Sequence, residues 1–314
     1  MKTSLRFVAA ICMAASLAAC GGNDDSTPGN LVQVAQADGF TALGAAVSKA
    51  GLAATLEAPG ANLTVFAPTD AAFTDLASKL GFASATAMVD ALPADVLGAI
   101  LTYHVLPARK SAATLAADGA TEATAYSFEG AAANLKLATT GGVSITDADL
   151  TTAHVTQADV AASNGVIHVI DKVLVPPGVL NVVQMAQANP TFSTLVGAVV
   201  SANLQGTLSG AGPFTVFAPT NDAFAAISST VAGLNNAQLT TVLTYHVLGQ
   251  QVLAADIPFG MPIATVSGQD ITINAGSPPT ITDTTSTPAP IVATDVRASN
   301  GVIHVVGKVL IPAL

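Results

Sequence analysis

Tryptophan is absent from this chain, tyrosine occurs only three times, and aromatic residues make up 4% of it. Sites that hold bases or sugars on aromatic platforms need several stacked rings, so the composition weighs against that kind of cleft. Positive charge is scarce too: ten Lys and Arg stand against twenty Asp and Glu, for a net charge of −10. Nucleic-acid binding requires clustered cations that displace counterions from phosphates, and no such cluster occurs, which excludes nucleic acid as a partner. Glutamate is limited to Glu57, Glu122 and Glu129, so any paired-carboxylate hydrolysis would fall to aspartates. Gly-x-Ser-x-Gly, a phosphate-cradling Gly-Lys loop, His-x-His and His-Glu-x-x-His are all missing. These gaps argue against an enzyme and against a bound cofactor or metal.

Cysteine occurs only as Cys12 and Cys20. Lys2 and Arg6 precede an apolar run from Phe7 to Leu17, which has the length of a signal-peptide core and falls short of the ~20 residues that span a bilayer. Export with removal of residues 1–19 is therefore expected. Cys12 lies in the segment to be removed, so Cys20 has no thiol partner in an oxidising compartment. The stretch Leu17-Ala18-Ala19-Cys20-Gly21 resembles the lipobox of bacterial lipoproteins, which implies a diacylglycerol on Cys20 and contact with a lipid bilayer. Cleavage near Ala18 and Ala19 with an incidental Cys20 is the alternative. Residues 20–29 then form a lipidated cysteine and a flexible polar tether. Gly rather than Asp after Cys20 favours, by the same resemblance, the outer membrane, on its periplasmic or outward face.

What the chain does hold is apolar residues, 51% of 314, with 26 Gly and 17 Pro. That is a globular composition at twice the usual domain length, and self-similarity supplies the division. Residues 64–73 (TVFAPTDAAF) return at 215–224, LTYHVL at 101–106 returns unchanged at 243–248, and SNGVIHVIDKVLVP at 163–176 returns as SNGVIHVVGKVLIP at 299–312. The opening NLVQVAQA at 30–37 has a weaker echo at 181–188. The spacing between copies shortens along the chain, as expected when residues are lost from surface loops. Two domains, 30–176 and 181–312, follow, joined by the short, stiff Pro176-Pro177-Gly178.

Each copy reads as helices first and strands later, an α+β pattern. Leu31, Val34, Ala35, Phe40, Leu43 and Val47 follow helical spacing, with Gly51 as the stop. Leu63 to Phe66 reads as a strand ended by Pro68, with Thr69 capping a helix that begins at Asp70. LTYHVL reads as a strand or a helix end. Asn164-Gly165 predicts a two-residue hairpin turn feeding the strand 166–170, and Asn300-Gly301 repeats it. The Asp147-x-Asp149 pair lacks the glycine and terminal glutamate of a calcium loop and reads as a solvated turn.

The ordered set of FAPTDAAF, Tyr-His within LTYHVL, and SNGVIHVIDKVLVP closely resembles the fasciclin (FAS1) domain, in both copies. The resemblance implies a wedge-shaped β-sandwich flanked by helices and a role in adhesion or matrix contact, with a protein or polysaccharide surface as partner. It also implies partner contact through the Tyr-His region and through an Asp-Ile before the last motif. The matching residues are Tyr103, His104, Asp159 and Val160 in the first copy, and Tyr245, His246, Asp295 and Val296 in the second; Val replaces Ile in both. From the residues alone, a neutral imidazole inside a core accounts for His104 and His246, and packing with a tethered hydroxyl accounts for Tyr103 and Tyr245. His168 and His304, within Val and Ile, read as core more strongly still. A binding module for a small molecule or envelope polymer is the alternative function.

Overall fold

The computed structural model describes residues 28–314, and the expected export segment with Cys20 lies outside the described residues. The first unit contributes strands β1 (Leu63–Pro68), β2 (Val105–Leu106), β3 (Thr121–Phe128), β4 (Ala131–Ala138), β5 (Ser144–Thr146), β6 (Thr152–Ala162) and β7 (Gly165–Ile170). The second contributes β8 (Phe214–Pro219), β9 (Val247–Leu248), β10 (Pro262–Ala264), β11 (Asp270–Asn274), β12 (Thr280–Thr282), β13 (Ala289–Ala298) and β14 (Gly301–Val306). The first sheet runs β2-β1-β7-β6-β5-β4-β3, and the second repeats that order as β9-β8-β14-β13-β12-β11-β10.

β1 and β7 pair in parallel, with Leu63 opposite Gly165 and Pro68 opposite Ile170. All six residues of β7 are buried, as expected for a parallel pair covered on both faces. Val65, Ala67, Ile167 and Val169 face the helical layer, where they meet Leu31, Leu43, Phe73 and Leu97. Phe66 and Ile170 face the other way, into a core with Tyr103, Leu115, Leu135 and Ile145. β6 divides the sheet between these layers. Its residues 152–154 pair with β5, and residues 155–162 pair with β7 through two register shifts. Such bulges bend a strand and sharpen its twist, so one sheet folds over itself into a sandwich. The two units are α+β domains, as the order of helices and strands predicted.

Two local expectations are corrected. The long helix read through Val47 is two helices, Leu31–Ala37 and Thr41–Lys49, because Gly39 adopts φ 83° and turns the chain between them. Phe40, Leu43 and Val47 reach the same core by that turn rather than by a continuous helical face. The hairpin before β7 also differs: Ala162 pairs with Gly165, so the turn residues are Ser163 and Asn164. Gly165 is required by close approach, since a Cβ there would stand 2.3 Å from the Leu63 carbonyl oxygen.

Asn164 is buried and acts as a clasp. Its Oδ1 accepts from the Leu31 N–H at 2.9 Å, while its Nδ2 donates to the carbonyls of Leu56 at 2.8 Å and Ala58 at 3.1 Å. Asn300 repeats this with the Val182 N–H and the carbonyls of Leu208 and Gly210, each at 2.9 Å. Asn164→Ala leaves these buried groups unpaired and is expected to lower the unfolding free energy by about 3 kcal/mol, read as a shift in denaturation midpoint at constant slope.

Candidate functional site: the repeated histidines and the acidic bulges

The first motif works through caps. The Thr69 hydroxyl accepts from the Ala72 N–H at 3.2 Å, opening helix Asp70–Lys79 as expected. Asp70, which the sequence placed simply as the first residue of that helix, turns to a neighbour: its carboxylate accepts from the Ala42 N–H at 2.9 Å and from the Thr41 hydroxyl. One dipeptide thus caps two helices. Thr220 and Asn221 do the same in the second copy, on Ala223 and Thr194.

Tyr103 and His104 end helix Ala94–Tyr103, and both are buried. The His104 Nδ1–H donates to the Ile100 carbonyl at 2.7 Å, and its Nε2 accepts from the Leu174 N–H at 2.8 Å. His246 repeats both bonds at the same lengths, with Val242 and Leu310. A backbone carbonyl can only accept and an N–H only donate, so the neutral tautomer is fixed. Burial pushes the pKa of each imidazole down to about 4, so both stay uncharged at physiological pH. The Tyr103 hydroxyl donates to the Asn134 carbonyl at 3.1 Å and that of Tyr245 to Asp270 at 3.0 Å. Burial raises both phenols above their ordinary range. Contact residues in the implied sense must reach the surface. These four side chains do not; they tie the helix end to the strand layer.

Asp159 and Asp295 sit differently. Each occupies the bulge of its long strand, exposed, with φ of 59° and 60°. Each is held from two sides. The Asp159 N–H donates to His168 Nδ1 at 3.2 Å, and its Oδ1 accepts from the Ala112 N–H at 2.9 Å. His168 in turn donates from Nε2 to the Lys110 carbonyl at 3.0 Å. Asp295, His304, Ala254 and Val252 repeat the arrangement. His168 and His304 are therefore core residues, as read, and they also aim the exposed aspartates. Val160 is half-buried and Val296 is buried. Beside Asp159 lies a recess of about 170 Å3 that also includes Arg109 and Ser111. Among the described residues no three His, Cys, Asp or Glu side chains converge to hold a metal ion.

The fasciclin domain model matches residues 38–176 and 190–312. The chain belongs to the fasciclin domain family. Protein sll1483 of Synechocystis is 42% identical over 140 residues, covering 43% of this chain and 75% of that protein. The fasciclin-like arabinogalactan protein elcF of Phaeosphaeria nodorum is 29% identical over 257 residues, covering 80% and 78%. The transforming growth factor-beta-induced protein ig-h3 of Sus scrofa is 34% identical over 165 residues, 51% of this chain and 23% of that one. Among solved structures, a FAS1 domain pair from the insect cell adhesion molecule Fasciclin I covers 90% of this chain and 95% of its own at 18% identity, with a TM-score of 0.44.

The two fasciclin domains differ in chemistry at the acidic loop before β6, where the expected solvated turn is buried. Asp147 accepts from the Lys172 ammonium at 2.6 Å, the Thr151 hydroxyl at 2.9 Å and the Val175 N–H at 2.9 Å. Asp283 repeats this with Lys308, Thr285 and Ile311. Burial pushes Asp283 upward, but these donors outweigh it and hold the carboxyl below the usual range. A lone lysine inside the apolar last motif, at Lys172 and Lys308, is the signal that such a partner exists. Asp149 stands where the second domain has Thr285 in the sequence. It is fully buried, and among the described residues neither carboxylate oxygen has a hydrogen-bond partner. Burial first, then the nearby Asp147 carboxylate, drives its pKa well above the ordinary value, against the opposing pull of Lys172 and Lys79.

The joint between the domains is pinned as well as stiff. The Tyr126 hydroxyl donates to the Pro177 carbonyl at 3.1 Å, and the Gly178 N–H donates to that of Arg297 at 2.9 Å. The Arg297 guanidinium lies 5.3 Å from the Phe128 ring centre and pairs with Glu129. Asn189 donates from Nδ2 to the Asp149 carbonyl at 2.7 Å.

A carboxyl whose pKa is raised on folding binds its proton more tightly in the native state, so its contribution falls as pH climbs above the usual carboxylate range. Asp149→Thr, which installs the residue of the second domain, is expected to stabilise the protein at pH 7.5 by roughly 2 kcal/mol. The gain shrinks as pH is lowered toward 4. Melting temperatures of both proteins across that range check the sign.

Proposed function

We propose that this protein is a non-catalytic adhesion or surface-interaction module of the cell envelope, with Asp159 and Asp295 as its contact points. Fasciclin domains occur in adhesion and surface-interaction proteins. The observation that supports the site is the pair of exposed aspartates at positive φ, each fixed by a buried histidine and a backbone N–H. Such fixing lowers the ordering cost of association, which is how a small contact gains affinity. Tyr103, His104, Tyr245 and His246 serve this reading from inside, by tying the helix end to the sheet and to the segment after its last strand, and Val160 and Val296 turn their side chains inward directly after each aspartate. The partner is a protein or polysaccharide at a cell or matrix surface, and the pinned joint presents both bulges in one fixed relation, a condition for avidity.

The double variant Asp159→Ala/Asp295→Ala is expected to weaken binding of displayed protein to cells or matrix at least tenfold while leaving its fold unchanged by circular dichroism. Adhesion equal to wild type, and equal to that of a strain lacking the protein, would sink the reading. Anchoring is proposed through a diacylglycerol on Cys20, outside the described residues, and supported by the lipobox-like sequence before it. Cys20→Ala is expected to move the protein from the membrane fraction to the soluble one; a variant that stays with the membrane refutes the anchor.

A further inference from the structure

The first domain contains an apolar cavity of about 120 Å3 between helices Leu31–Ala37 and Thr41–Lys49 and strands β1 and β7, walled by Leu31, Val47, Leu56, Val65 and Ile167. An engineered protein cavity of ~150 Å3 stays dry and binds benzene, so this space suits roughly six carbons. Gln36 and Gly44, which line the cavity, also line an adjoining surface recess of about 250 Å3 with Thr41 and Ser48. The inner space thus continues into a polar rim.

The second domain has the same cavity nearly closed, at about 30 Å3. Aligned along the chain, the walls correspond: Leu31 with Val182, Leu43 with Leu195, Val47 with Val199, Leu56 with Leu208. At the rim they part, for Val196 stands where the first domain has Gly44. Among the described residues, a Cβ added at Gly44 would meet no heavy atom within 4 Å. Packing therefore does not require glycine, which costs a helix interior up to ~1 kcal/mol relative to alanine. Gly44 lines the open cavity and the bulkier Val196 lines its nearly closed counterpart, while the helix of the second domain carries its own glycine one position further on, at Gly197.

We propose that the first fasciclin domain binds the hydrocarbon end of an uncharged amphiphile, inserted past Gly44, with its polar head at the rim beside Gln36, Thr41 and Ser48. Among the described residues no Lys, Arg, Asp or Glu lines the cavity or the recess. An anionic head would find no counter-ion there, and both the Asp70 carboxylate bonded to Thr41 and the net charge of −10 oppose it. This site is separate from the aspartate bulges and does not depend on their role.

The test titrates the full chain, methyl-labelled for NMR, with straight-chain alcohols from 1-butanol to 1-octanol. Saturable shifts with intermolecular NOEs to the methyls of Leu31, Val47 and Ile167 are expected. Affinity should rise about fourfold per added methylene until the cavity is full. Gly44→Val, the residue of the second domain, is expected to abolish binding while melting no lower than wild type. Wild-type NOEs locate the ligand without the variant, so a variant that fails to fold leaves the test standing. Absence of saturable shifts, NOEs elsewhere, or undiminished binding by folded Gly44→Val overturns the proposal, and octanoate binding as well as 1-octanol overturns the uncharged head.

Discussion

A neutral imidazole carries one donor and one acceptor on a rigid ring, and each fasciclin domain uses two of them as struts across its central parallel strands. His104 spans from the last turn of helix Ala94–Tyr103 to the N–H of Leu174, just past β7. His168 spans from within β7 to the Lys110 carbonyl on one side and the Asp159 N–H on the other. Because β1 and β7 are covered on both faces, backbone groups beside them have no water to turn to, and an unpaired one costs about 1–3 kcal/mol. The imidazoles meet that demand, and desolvation keeps His104 neutral so that its tautomer holds. The helix-to-strand junction, the bend of β6 and the exposed position of Asp159 all hang on these rings.

Two copies in one chain act as controls for each other. Where both keep a feature, as with the histidines, the clasping asparagines and the Lys–Asp pairs, the fold requires it. Where they part, the reason is local. Asp149 replaces a position that in the second domain is Thr285, whose hydroxyl completes the shell of Asp283. Gly44 replaces Val196 and leaves a cavity. The unpaired carboxyl and the larger cavity both belong to the first domain.

Much of this was legible in the sequence, for physical reasons that also mark the limit. Thr69 as a cap, β7 as a buried strand and the histidines as core residues follow from local chemistry and apolar context. Asn164-Gly165 signalled a turn, but the pair serves contacts over a hundred residues away in the chain, and no turn rule sees those. Asp147 and Asp149 read as solvated because acidic residues between strands usually are; their burial depends on a lysine 25 residues on and on strands that fold over them. The Tyr-His pair was implied as contact by resemblance, whereas its geometry turns inward. A cavity is a property of packing, and a glycine in a helix does not announce one.

The joint explains how one domain tolerates what the other has removed. In helix Leu31–Ala37 the residues Val34 and Ala37 stay partly or fully exposed, whereas their counterparts Met185 and Ala188 in helix Val182–Ala188 are buried. The additional cover belongs to the interface, for the apolar cluster runs without a break from Phe73 and Leu76 of the first domain to Met185 and Ala188 of the second. Native stability is a margin of ~5–15 kcal/mol, and a buried carboxyl, a helical glycine and an unfilled cavity draw on it together. Met185 and Ala188, buried in the cluster that crosses the joint, return about 3 kcal/mol of that, at about 25 cal/mol per Å2 of area removed from water. Docking of the second domain thus offsets part of what the departures of the first cost.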